Sequence, residues 1–321
     1  MTYSDILAQF MRNIGQENIS ANDPAYATIL ADFNTNLGAR YHMVMAKMRD
    51  YATQLQKTTT TVASQQYYHY PVDVMNIESI VVTIGQVNYP TTICNSQWQW
   101  DWLNAIQVQP TAIPQFILPR KVDFGVYPTP KDAYTLTFNY HYKDRNLSVP
   151  DYLAGTVTMT NASTAVTGSG VTWTAAMIGR YFEITDTTNS GQGYFYKIVD
   201  IPTSGTLTLE TSFEGLGGAS LSYRIGEIPD FPDEGHSILV DGASADYFSG
   251  MRHDLETGTW YDNKFFTGSG VNTSRNYGES TISGGLIGLY NTYTDRNQER
   301  VIDRKKEIAP FTFQNWGMNL H

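Results

Sequence analysis

The stretch GTVTMTNASTAVTGSGVTWTAAMIGRYFEITDTTNSGQGYFYKIVDIPTSGTLTLETSFEGLGGASLSYRIG, residues 155–226, decides the architecture. Within it the runs GTVTMTN, STAVTGSG, RYFEITD, GYFYKIVDI, GTLTLET and LSYRIG recur about every ten residues, with Gly, Ser, Asn and Asp at the joints. Short runs of Val, Ile, Thr and Tyr suit a pleated, half-buried surface, and evenly spaced turn residues mark hairpins. No apolar period of 3.6 interrupts them. The expectation is a small all-β sandwich or barrel of about 75 residues. Pro150–Asp151 and Pro229–Asp230 flank it almost symmetrically and read as the joints of an inserted domain, 151–228.

Toward the N-terminus the pattern is helical. Ile6, Leu7, Phe10, Met11 and Ile14 lie on one face of a short helix over Asp5–Ile14. Asp23 and Pro24 form an N-cap and first-turn pair, because Pro loses nothing where the backbone N–H has no intrahelical partner. From there Ile29, Phe33, Leu37, Tyr41, Val44, Met48, Tyr51 and Leu55 recur at steps of three and four, predicting one helix over Pro24–Gln56, roughly 45 Å long at about 1.5 Å per residue. Gly38 in its middle weakens it by about 1 kcal/mol relative to Ala, consistent with a kink or a close contact.

The Thr- and Tyr-rich run after Lys57 opens a sheet. Val72, Val74, Ile77, Ile80, Val82 and Ile84 fit strands, with Gly85 at a turn and Pro90 at an edge. Phe116–Leu118, Val122–Val126 and Tyr134–Tyr142 continue the sheet. Trp98, Trp100 and Trp102 alternate at period two, which places three indoles on one face of a strand; a short helix is the alternative. Beyond residue 229 the chain reads as helical again. Ile238, Leu239, Ala243, Ala245, Tyr247 and Phe248 could cover the first helices, with Trp260, Phe265 and Phe266 extending that face. Residues 268–288 read as a loop or long hairpin, and 296–308 as a charged helix before an uncharged aromatic end. The fold class expected is α+β: a discontinuous helix-plus-sheet body over 1–150 and 229–295, the all-β insertion 151–228, and a C-terminal helix and arm over 296–321.

Composition narrows function. The chain has 321 residues, 41% hydrophobic but only 16% charged, with net charge −10 and one Cys. That amount of apolar residue fills two ordinary cores, so disorder is excluded. Cys94 alone builds neither an intrachain disulfide nor a four-cysteine metal site, and it reads as a small buried residue. No segment is basic overall, which argues against a binder based on phosphate neutralisation. No run approaches about 18 apolar residues, and MTYSDILAQF lacks the charged and apolar regions of a signal peptide, so no membrane is expected and synthesis is expected in the cytoplasm.

The search for chemistry finds little. His42, His69, His141, His236, His253 and His321 form none of the spacings that hold zinc, and His141 reads as a surface or sheet-edge residue. There is no GxSxG, and the Gly clusters at 168–170, 215–218 and 268–270 lack a P-loop or dinucleotide fingerprint. Asp230, Asp233 and Glu234 could suggest calcium or glycoside hydrolysis, but they precede a helix whose dipole favours them. No catalytic residue, metal or cofactor is expected, and the chain is expected not to be an enzyme. The three tryptophans suit a packed sheet face or protein interface, with a carbohydrate-binding module or glycan hydrolase as the rival.

Two stretches carry a resemblance. Asn161–Ala162–Ser163–Thr164, Val166–Thr167–Gly168, Trp173 and Gly179–Arg180–Tyr181–Phe182 resemble a small β-module of tailed-bacteriophage structural proteins, covering 155–227. The surrounding chain, with two N-terminal helices, FILPRKVDFGVYPTP and DGASADYF, is similar in element order to head-to-tail connector (adaptor) proteins of tailed phages. The resemblance implies a virion protein of the neck: a homo-oligomeric ring of about twelve copies joining the portal protein to tail or nozzle proteins. DNA would pass through its channel without sequence-specific binding. Helix residues Phe33, Leu37, Tyr41, Val44 and Met48 become ring-interface candidates. Trp98, Trp100 and Trp102 become partner-facing sheet candidates, and Pro310, Phe311, Phe313, Trp316 and Met318 a portal-docking arm. A tail-tube, tail-terminator or fibre-attachment protein is the alternative within virions.

Overall fold

A computed structural model describes residues 1–49, 53–94, 96–105, 111–189, 191, 193–268 and 284–290. The class is α+β, and the chain divides into two compact units, Met1–Val44 with Asn146–Glu299, and Met45–Arg145 with Arg300–His321. The first unit holds both the N-terminal helices and the 155–226 strands, so the division falls elsewhere than at the two Pro-Asp joints.

In the first unit, α1 (Tyr3–Asn13) begins with a capping box: Thr2 Oγ1 accepts from the Asp5 N–H while Asp5 accepts from the Thr2 N–H. α2 (Pro24–Lys47) starts where Asp23 Oδ1 accepts from the Ala25 N–H at 2.8 Å. It ends earlier than its apolar spacing suggests, and residues from Gln54 onward form a strand. α4 (Ser237–Gly250) is buried from Ile238 through Ala245 and forms the centre of the helical cluster. α5 (Leu255–Thr267) and α6 (Gly285–Tyr290) follow, so the expected loop gives way to helix at Gly285. Phe10 meets Phe33 at 4.7 Å and the edge of Tyr247 at 5.6 Å, and Phe265 is fully buried. Trp260, expected on the same apolar face, is 45% exposed.

The 155–226 segment of this unit forms β11 (Thr156–Met159), β12 (Ala165–Ser169), β13 (Tyr181–Ile184), β14 (Tyr196–Thr203), β15 (Thr206–Leu209), β16 (Gly218–Leu221) and β17 (Tyr223–Gly226). Their order in one antiparallel sheet is β16-β11-β12-β15-β14-β13-β17. β16 and β17 are one chain run broken only at Ser222, so the two ends of the sheet are successive pieces of one bent strand, and the sheet curls. Inside it Val157, Val166, Trp173, Phe182, Leu207 and Tyr223 are buried as one cluster, and Trp173 Nε1 donates to Tyr223 Oη at 3.0 Å.

The second unit is built on β1 (Gln54–Thr60), β2 (Tyr67–His69), β3 (Val74–Ile84), β4 (Val87–Pro90), β5 (Thr92–Ile93), β6 (Thr111–Ala112), β7 (Phe116–Pro119), β8 (Asp123–Tyr127), β9 (Thr129–Pro130) and β10 (Thr135–Tyr142). One sheet has the order β1-β10-β3-β4 and the other β2-β8-β7-β5, while β6 and β9 pair by themselves. Ile80, Val82, Leu136 and Phe138 of the first sheet share a core with Tyr68, Ile117, Phe124 and Val126 of the second. Gly85 turns at φ +61° between β3 and β4, as expected. His141, expected at a surface or edge, is 3% exposed, because β10 is an interior strand; its Nδ1 lies 2.8 Å from Thr53 Oγ1 and its Nε2 2.9 Å from Glu78 Oε1.

Candidate interaction surfaces

The tryptophan stretch is a helix, α3 (Gln97–Asn104), rather than a strand. Ser96 caps it, its Oγ accepting from the Gln99 N–H, and this local bond decides in favour of helix over period-two alternation. On a helix, positions 98 and 102 are one turn apart on the same side, while 100 points away. Trp98 is accordingly 74% and Trp102 66% exposed, whereas Trp100 is 2% exposed. Trp100 lies against Gly125 of β8, where a Cβ would come within 2.6 Å of the indole; that closeness explains glycine inside a buried strand. The two outward indoles border a groove of about 470 Å³ completed by Thr92, Ile93, Cys94, Gln99, Leu103 and Phe116. Among the described residues no charged side chain lines it. Burial pushes the Cys94 thiol pKa up, which makes it a poor nucleophile. Such a surface can offer flat aromatic contact area to a partner.

The other sequence candidates fall differently. Phe33, Leu37, Tyr41, Val44 and Met48 are at most 1% exposed within a single chain. They are core residues, which corrects their reading as a ring interface: the apolar stripe of α2 is used up within its own chain. Pro310, Phe311, Phe313, Trp316 and Met318 lie outside the described residues, as do the expected 296–308 helix and His321.

Charged groups that spacing did not reveal organise the first unit. Arg224 of β17 reaches Glu183 of β13 and both oxygens of Asp5 on α1 at 2.9 and 3.0 Å, with Asp151 at 3.7 Å. Burial works to raise the Asp5 pKa, but hydrogen bonds from Thr2 and Arg224 outweigh it and hold it below the usual range. Asp151 is shifted the other way, upward, chiefly by burial; Thr2 Oγ1 donates to its Oδ2 at 2.7 Å, and its Oδ1 has no partner. Arg40 of α2 binds Asp246 in two bonds, 2.9 and 2.6 Å, binds Asp262 at 2.8 Å, and sits 4.8 Å from the centre of the Phe265 ring. Sequence alone pairs neither arginine, since the partners are 41 to 222 residues distant.

His236 is fully buried. Its Nε2 lies 2.8 Å from the Phe231 carbonyl and its Nδ1 2.9 Å from the Met1 nitrogen; burial first, then that amino group, lowers its pKa. Asp233 and Glu234 stand in a short 3-10 turn before α4, where the helix dipole favours them. Among the described residues no group of three or more His, Cys, Asp or Glu is arranged to hold a metal ion. Among the same residues no helix is long and apolar enough to cross a membrane.

Compared with known proteins, the chain matches the family model described as SU10 adaptor protein over residues 1–181. That range is more than half of the chain, and the chain belongs to this family of phage adaptor-type structural proteins. The matched range takes in α1, α2, α3 and both sheets of the second unit, then crosses residue 151 to reach the first residue of β13. No curated protein matches the chain.

Proposed function

Starting from membership of the SU10 adaptor protein family, we propose that this chain is a non-enzymatic virion component of the neck, a head-to-tail adaptor. It forms a homo-oligomeric ring of about twelve copies between the portal and the tail, around the DNA channel. The family match over residues 1–181 is the observation that carries this reading. Its mechanism is geometric. A chain of net charge −10 repeated around a ring makes a negative lumen, which repels phosphate and leaves DNA free to pass during genome ejection. Trp98 and Trp102, exposed above an uncharged groove, are the contact offered to a tail or nozzle protein. The uncharged end with Pro310, Phe311, Phe313, Trp316 and Met318 is the arm that docks on the portal. The curled sheet of 155–226 is the virion-type β-domain inserted in the adaptor.

Electron microscopy of the virion tests the reading. Density for this chain is expected in a ring at the head-tail junction; density in the tail tube or at a fibre base would replace the adaptor by the alternative virion role. Deleting residues 309–321 should leave the thermal unfolding curve unchanged and abolish portal attachment. Unfolding of the truncated chain would instead mean that this end belongs to the protein's own core.

A further inference from the structure

We propose that neighbouring copies of this chain join through the two edges of its β1-β10-β3-β4 sheet that no described strand covers, with β4 of one copy adding antiparallel to β1 of the next. The inference rests on the ring reading above and names the contact that would build it.

The register of β1 shows what its free edge offers. Tyr142 donates to the Thr53 carbonyl at 3.0 Å and Thr61 to the Tyr134 carbonyl at 2.8 Å, so the odd residues of β1 bond to β10. In an antiparallel ladder the alternate residues then point their N–H and C=O groups outward. These are Gln54, Gln56, Thr58 and Thr60. All seven residues of β1 are exposed, on both faces. Protected edges carry prolines, bulges or free lysines. β1 has no proline, its pairing with β10 has no bulge, and its one lysine, Lys57, is held by Asp73 at 2.8 Å.

At the opposite edge, Ile84 and Val87 flank the two-residue Gly85–Gln86 turn, and Thr91 donates to the Ile80 carbonyl. The same alternation therefore turns Asn88 N–H and C=O, and the Pro90 carbonyl, outward. Each strand of this sheet runs against its neighbour, so β4 of one copy meets β1 of the next in antiparallel sense. Setting Asn88 opposite Thr58 places Pro90 opposite Gln56. The first pair exchanges two backbone bonds and the second makes one, from the Gln56 N–H to the Pro90 carbonyl; the missing proline N–H costs only the reciprocal bond.

The side chains agree with that register. Val87 and Tyr89 share the core-facing side of the sheet with Ile84 and Val82, and Leu55 shares it with Tyr140. All three are left open in the single chain: Leu55 37%, Val87 53% and Tyr89 40% exposed. In that register Tyr89 lies opposite Lys57 and diagonal to Leu55, and Val87 lies opposite Thr59, so the core-facing side continues from copy to copy with apolar and amphipathic neighbours. On the outer side, Asn88 and Thr58 meet as polar neighbours. A contact between two different edges is heterologous, the kind that closes into a ring. Two-fold pairing of β1 with itself would leave Val87 and Tyr89 of β4 uncovered.

Disulfide cross-linking in purified virions tests this. Chains carrying Thr58→Cys and Asn88→Cys together should give a ladder of covalent multimers on oxidation, and each single variant only monomer, native Cys94 being buried. Gln56→Cys with Pro90→Cys is the second pair and should behave alike. Dimers from Thr58→Cys alone would mean a two-fold contact and overturn the proposal. Chains present in the virion as a ring, yet forming no ladder with either pair, would overturn this contact while leaving the ring reading intact. Absence of the chain from the virion would overturn both.

Discussion

The two β-regions of this protein solve the problem of sheet edges in opposite ways. The curled sheet of 155–226 ends on β16 and β17, two halves of one bent strand, and Tyr152 pairs with Ile225 on β17. At the β17 edge its own chain pairs in through Tyr152. The four-stranded sheet ends on β1 and β4, whose residues are all exposed. A sheet that spends its backbone hydrogen bonds internally is built to be stable alone, and one that leaves two open edges is built to be extended. Damage to the first should therefore appear in unfolding measurements, and damage to the second in assembly.

The largest expected effect is in the closed sheet. Trp173→Ala removes a fully packed indole and the partner of Tyr223, and should cost about 3–5 kcal/mol in urea unfolding. Next comes Arg224→Met, which strands Glu183 and Asp151, both mostly buried; a loss of roughly 3 kcal/mol is expected, with Asp5→Asn losing less because Asp5 is partly exposed. In the open sheet, Thr53→Val leaves His141 Nδ1 without its neighbour and should cost about 1–2 kcal/mol. The His236 effect is a slope. Because its folded pKa lies below its ordinary value, the unfolded chain holds more protons between the two. Stability should fall as pH drops through about 6.5, and His236→Gln should flatten that dependence in thermal melts recorded from pH 7.5 to 5.5. The smallest change is Leu55→Ser: within about 0.5 kcal/mol in the isolated chain, since the site is half-open, yet measurable in the yield of assembled particles. A large loss of monomer stability there would break the contrast between the two sheets.

Much of this architecture is legible in residue order, for local reasons. Turn glycines, alternating Val and Thr, and the Asp23–Pro24 pair act over a few residues, and the strands of 155–226 and the start of α2 follow from them. What escapes is whatever depends on distant partners. Tyr51 and Leu55 continue the helical spacing of α2, but β10 claims residues 54–60 as a strand, a choice made by Tyr140 and Phe138 across the ladder. The tryptophans fit a strand by period, and Ser96 turns them into a helix with one indole in and two out. The apolar stripe of α2 marks a buried face correctly, but periodicity does not say whether its cover is another copy or the same chain; here it is the same chain. The groove beneath Trp98 and Trp102 combines α3 with β5 and β7 and has no signature in any one segment.

At the threshold of the curled sheet, the Tyr152 N–H donates to the Ile225 carbonyl at 2.9 Å and the Ile225 N–H returns the bond at 3.0 Å. The chain therefore enters and leaves this region side by side, as at the neck of a drawstring bag. A segment with abutting ends can be excised and replaced by a tight turn, or exchanged for another of equal mouth width, without moving the residues on either side. That doorway makes residues 153–224 a replaceable segment, provided the replacement returns a cation to Asp5 and Asp151, which Arg224 now holds.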